Sequence, residues 1–117
     1  MPDIEQTDKT DTLEALIRST INLYARFGVE RPGLPVMQPI FEEEVQELIE
    51  AAQVGEDKAH IAEEAADVIV TAIGMCLARD VSLAQILEQA RAVVAKNDAK
   101  TYETHAVNGA GKIARKP

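Results

Sequence analysis

The sequence predicts an all-α fold, a four-helix antiparallel bundle, on three observations. Hydrophobic residues make up 46% of 117 positions, yet only four are aromatic and none is Trp. A core of Ala, Leu, Ile and Val favours close helix packing over a sheet. Apolar residues recur with helical spacing through four segments, and the breaks between them are mostly short, as an antiparallel bundle requires. The length suits one domain with a real core.

Residues 1–11, "MPDIEQTDKTD", are polar and aperiodic, so they read as a flexible N-terminus with Asp11 or Thr12 as a helix cap. The first helix then carries Leu13, Leu16, Ile17, Thr20, Ile21, Leu23, Tyr24 and Phe27 on one face, and Gly28 stops it. "GVERPGLP" is a loop by its two prolines and two glycines. A second helix is expected from near Pro39, a residue suited to a first turn, to about Val54. The third runs from about Asp57 to Arg79, where Asp80 and Val81 break the pattern. Ser82 then caps a fourth helix whose apolar face is Leu83, Ile86, Leu87, Ala90, Val93 and Val94. The domain is thus expected over residues 12–98, followed by a basic tail, 99–117, that shows no periodicity and reads as loop or extended arm.

The net charge of −8 is unevenly spread: residues 1–90 hold 18 acids against 6 bases, and residues 91–117 hold 6 bases against 2 acids. An acidic body argues against binding duplex nucleic acid, while the basic tail suits a small anion. The longest near-apolar stretch, Val68 to Ala78, is too short to span a bilayer. No basic start precedes an apolar run, and the single cysteine, Cys76, sits among apolar neighbours as a small hydrophobe. A cytoplasmic protein without membrane contact is expected.

The carboxylates carry the chemistry. On the second helix Glu44 falls inside the apolar arc that Phe41, Val45, Leu48 and Ala52 define, and Glu47 sits at its edge. Glu42 and Glu50 point away as solvated acids. The third helix is apolar around most of its circumference, with a narrow polar strip of His60, Glu63, Glu64, Asp67 and Thr71 and Gly74 beyond them. Of these, His60 reads as a surface residue. Antiparallel packing would bring the i, i+3 pairs Glu44 with Glu47 and Glu64 with Asp67 together. Four like charges at one site oppose folding unless they are protonated, paired with bases or neutralised by a metal ion. Bases are scarce, since Lys58 is the only Lys or Arg from Ile40 to Ala78. Surface glutamates paired to Lys and Arg therefore explain the pattern poorly. Oxygen ligands select a hard cation, Mg²⁺ or Mn²⁺.

"EVQE" (Glu44 to Glu47), sixteen intervening residues and "EAAD" (Glu64 to Asp67), each pair preceded by a further acid, Glu43 and Glu63, resemble the double motif of one superfamily. It is the all-α nucleoside triphosphate pyrophosphohydrolases, which include MazG-like proteins, dimeric dUTPases and phosphoribosyl-ATP pyrophosphohydrolases. The resemblance covers about residues 12–100 and implies a MazG-like fold. It implies Mg²⁺-dependent cleavage between the α and β phosphates of a nucleotide, releasing the monophosphate and pyrophosphate. Glu44, Glu47, Glu64 and Asp67 would hold the metal, and either Glu43 or Glu47 would serve as the catalytic base. Basic and amide side chains after the fourth helix grip phosphate or sugar in such enzymes, a part that Lys96, Asn97 and Lys100 are expected to take, with His105 and Lys112 as further candidates. Asn22 and Arg26, off the apolar face of the first helix, are candidates for base recognition.

The expected function is pyrophosphohydrolysis of a (d)NTP. The alternatives are the phosphoribosyl-ATP pyrophosphohydrolase of histidine biosynthesis and a non-catalytic helical partner that senses metal or nucleotide. So apolar a third helix is more than four short helices can cover, which predicts a homodimer or a dimer of dimers with the site near the subunit interface.

Overall fold

The computed structural model describes residues 12–55 and 57–117. The expected flexible segment 1–11 lies outside them. Among the described residues there are four helices: α1 (Thr12–Arg26), α2 (Leu34–Val54), α3 (Lys58–Leu77) and α4 (Leu83–Asp98). Two short strands follow, β1 (His105–Val107) and β2 (Ile113–Arg115). The chain divides into two compact units, residues 1–83 and residues 84–117. Among the described residues no helix is long and apolar enough to cross a membrane.

In the first unit α3 packs extensively along α2 and also meets α1. The boundaries of α3 have local causes. Asp57, in extended conformation, caps it by accepting a hydrogen bond from the His60 amide. Its other end closes as a Schellman turn: the amides of Asp80 and Val81 donate to the carbonyls of Leu77 and Cys76 at 3.2 and 3.0 Å. Asp80 there takes φ of 59°, a left-handed conformation that aspartate tolerates better than most residues. Gly55, at φ 71°, ends α2 with its amide on the Ala51 carbonyl, and only three residues of sequence separate α2 from α3, which runs back along it.

The start of α2 differs from expectation. The helix begins at Leu34, with Gly33 as N-cap and Pro35 in the first turn, so Pro39 lies inside it. Pro35 satisfies the first-turn preference that Pro39 suggests. Pro39, lacking an amide hydrogen, only leaves one carbonyl near the helix start without its usual partner.

Three helices meet at one small residue. Gly74 of α3 is buried, and a Cβ there would collide with the Met37 methyl and lie 2.7 Å from the Tyr24 hydroxyl. The same hydroxyl donates to Met37 Sδ at 3.7 Å, and Met37, Ile17 and Ile73 are the buried hydrophobic residues among those described. Gly74→Ala is expected to lower stability by about 1–3 kcal/mol through overpacking, despite alanine's better helix propensity. A chemical denaturation curve would check it, and an unchanged midpoint would show that Met37 and Tyr24 move aside freely.

The buried residues of α3 are Glu64, Thr71, Ile73 and Gly74. Of the polar strip read from the sequence, Glu64 and Thr71 are buried and Asp67 is half-buried, whereas His60 and Glu63 are exposed, as is Ile69 on the apolar side. Thr71 is accommodated because its hydroxyl donates back to the carbonyls of Asp67 and Val68.

In the second unit the tail is not a loop or arm beyond α4. Residues 105–115 form an antiparallel hairpin, with His105 opposite Arg115 and Val107 opposite Ile113. Asn108 organises the turn: its side-chain oxygen accepts from the amides of Ala110 and Lys112 at 2.9 and 3.0 Å. Gly111 supplies a φ of 81°.

Candidate active site

Because α2 and α3 run antiparallel with Met37 against Gly74, the middle of one helix faces the middle of the other. Glu44, Glu47 and Glu64 come together there, each offering a carboxylate oxygen within 4.8 Å of the others. Asp67 stands outside this trio but close enough to act on its charge. Glu64 is only 8% exposed. Glu44 Oε2 and Glu64 Oε2 are both buried and accept no hydrogen bond from the protein.

The electrostatics follow from this crowding. Burial pushes the Glu44 carboxyl above its ordinary range, and repulsion from Glu47, a hydrogen bond with Glu47, and the charges of Asp67 and Glu64 add to the rise. Glu64 is raised first by burial and then by Glu47, while His60 opposes the shift. His60 Nε2 lies 3.7 Å from Glu64 Oε1, one helical turn away. Its side chain is half exposed, so the surface reading holds for much of the ring and misses what the ring touches. The i, i+4 spacing to a buried glutamate was the available signal. His60, Glu63 and Glu64 form a second group with possible ligand atoms within 4.8 Å, on the outer side of the first.

Two buried acceptors without donors, in a region almost devoid of Lys and Arg, fit a cation. The donors are all carboxylate oxygens, which suits a hard divalent ion. Of the two candidate bases, Glu47 belongs to the carboxylate trio, whereas Glu43 is exposed and outside it.

Other predicted residues fall elsewhere. Asn97 and Lys100 line a cavity of about 800 Å³ in the second unit, together with His105. Lys96 is exposed in the last turn of α4 and is not among its lining residues, nor is Lys112. Asn22 and Arg26 are exposed on α1, and neither lines the cleft of about 450 Å³ that Tyr24, Arg31 and Met37 border at the α1–α2 loop. Cys76 is free and half-buried.

Paired carboxylates on two antiparallel helices, in a chain whose long elements are all helical, are features of the all-α pyrophosphohydrolases, which hydrolyse phosphoanhydride bonds. The family model for phosphoribosyl-ATP pyrophosphohydrolase matches residues 22–92, and the chain belongs to that family, within the all-α NTP pyrophosphohydrolase (MazG-like) superfamily. The match spans α2 and α3 entirely and so contains all four acids of the double motif. No curated protein and no solved structure matches the chain.

Proposed function

We infer that the protein is a Mg²⁺-dependent nucleotide pyrophosphohydrolase that adds water across the α–β phosphoanhydride of a (d)NTP, giving the nucleoside monophosphate and pyrophosphate. The observation that carries this reading is the pair of buried, unpartnered oxygens of Glu44 and Glu64 within a carboxylate trio. Glu44, Glu47 and Glu64, with Asp67 beside them, would hold the ion. Bound Mg²⁺ would offset phosphate charge and polarise the phosphoryl group. Glu47 is the better placed of the two bases to take a proton from the attacking water.

Phosphoribosyl-ATP is the second substrate reading, favoured by the family match itself. The bond cleaved is of the same kind. Exposed apolar side chains, among them Leu23, Phe27, Val36, Ile40, Ile49 and Ile69 of the first unit, support assembly as a homodimer or homotetramer.

Pyrophosphate release across a panel of NTPs, dNTPs and phosphoribosyl-ATP, with Mg²⁺, Mn²⁺ or EDTA, tests the proposal. Metal-dependent release with the matching monophosphate is expected. Preference for phosphoribosyl-ATP would select the second reading, and no release from folded, metal-loaded protein would leave a non-catalytic metal or nucleotide sensor.

A further inference from the structure

His60 belongs to a second set of ligand atoms that the carboxylate trio does not use. A ring nitrogen of His60 and one carboxylate oxygen each of Glu63 and Glu64 lie within 4.8 Å of one another. All three sit on α3 at i, i+3 and i+4, so a single helix face presents them. Glu64 is common to both sets, is 8% exposed, and keeps one buried oxygen, Oε2, without a hydrogen-bond partner. Its other oxygen, Oε1, stands 3.7 Å from His60 Nε2. That separation is too long for an N–H···O hydrogen bond. It suits two donors to one ion, each of which would lie roughly 2.1 Å from the metal and so at most about 4.2 Å from the other. Among the described residues no Lys or Arg is paired with Glu63 or Glu64. The side chains of His60 and Glu63 are exposed, so they can turn to close the remaining distance.

The donor atoms separate this set from the first. Three carboxylates suit Mg²⁺, whereas an imidazole with two carboxylates suits a borderline ion. Zn²⁺ takes such a set with water as its fourth ligand. A glutamate and a histidine three residues apart likewise serve paired iron or manganese ions in helical bundles. We propose that His60, Glu63 and Glu64 bind Zn²⁺ or a similar transition ion at a position next to the carboxylate trio, with Glu64 shared between the two. The site goes beyond the hydrolase reading and does not need it, since these ligands can fill whether or not pyrophosphate is released. Because both positions draw on Glu64, an ion in one alters the affinity of the other, by the same factor in each direction. The Zn²⁺ level then acts on the Mg²⁺ site through one side chain.

The test is calorimetric titration of the untagged full-length protein with Zn²⁺ in saturating Mg²⁺, beside His60→Ala, Glu63→Gln and Glu64→Gln. His60→Ala and Glu63→Gln should each weaken Zn²⁺ by at least about tenfold, the smallest loss expected when even an outer partner of a ligand is removed. Titrated with Mg²⁺ alone, those two variants should match the unaltered protein closely, whereas Glu64→Gln should weaken both ions. Neither exposed side chain threatens the fold, and the His60 amide that caps α3 on Asp57 survives the substitution. With two histidines in the chain, NMR gives a direct second readout. Zn²⁺ should shift the ring signals of His60, with His105 as the reference, and Mg²⁺ should shift them far less. Equal Zn²⁺ affinity in His60→Ala and the unaltered protein would overturn the site, as would shifts confined to His105. So would Zn²⁺ that fails to bind, or binds only by displacing Mg²⁺ from the trio. Pyrophosphate release with Mg²⁺ alone is scored separately, and its absence sinks the hydrolase reading while a His60-dependent Zn²⁺ site stands.

Discussion

Glu64→Gln is expected to reduce pyrophosphate release by about a thousandfold while raising the thermal midpoint of the metal-free protein. Both effects follow from one placement. Glu64 is buried against Glu47 and near Asp67, and its carboxyl is pushed up by that environment. Glutamine keeps the shape and removes the charge, so repulsion falls and folding gains. A cation, however, loses an anionic ligand that no neighbouring base or carboxylate can replace in the same position. Metal-dependent release assayed beside thermal unfolding in EDTA separates the two. Loss of helical circular dichroism in Glu64→Gln would mean that the acid is structural, and near-normal release would remove it from the ligand set.

Mg²⁺ at a hundredfold excess over its Kd should raise the thermal midpoint by roughly 10 °C near pH 8, and by much less near about pH 5. The raised values of Glu44 and Glu64 set the direction. A carboxyl whose folded pKa lies above its unfolded value contributes stability that is present below the unfolded value and is lost as pH rises through the folded one. Without metal, the protein should therefore lose stability from these two groups as pH rises from the ordinary carboxylate range toward neutrality. Metal restores it where both are ionised and competes with protons where they are not. Differential scanning fluorimetry over a pH series, with Mg²⁺ and with EDTA, checks this. A metal-induced shift independent of pH would show that the ion binds away from Glu44 and Glu64.

Much of this arrangement was legible in the sequence because it is local. Two i, i+3 acid pairs separated by sixteen residues and a Gly55 break can meet only if the helices fold back on each other, and that geometry groups Glu44, Glu47 and Glu64. The limits of α3 were legible for a similar reason, since Asp57 and the Asp80–Val81 break act through their own hydrogen bonds. The start of α2 was not, because two prolines compete for the first turn and only the Gly33 cap decides between them. The hairpin escaped because its strands are three residues long, too short for alternation to show. Its signal was the turn itself, Asn108-Gly109 between Val107 and Ile113. His60 was missed because a half-exposed ring beside a buried acid looks like ordinary surface when only the chain's own period is read.

The shortness of the connection between α2 and α3 also bears on how the protein folds. Every carboxylate of the double motif lies on one helical hairpin, so closing that hairpin needs only a short loop and little chain entropy. The same step is the one that forces like charges together. Contacts that are cheap by topology are thus opposed by electrostatics, and neutralising these charges with a divalent ion or protons is expected to speed hairpin closure as well as to stabilise the final state.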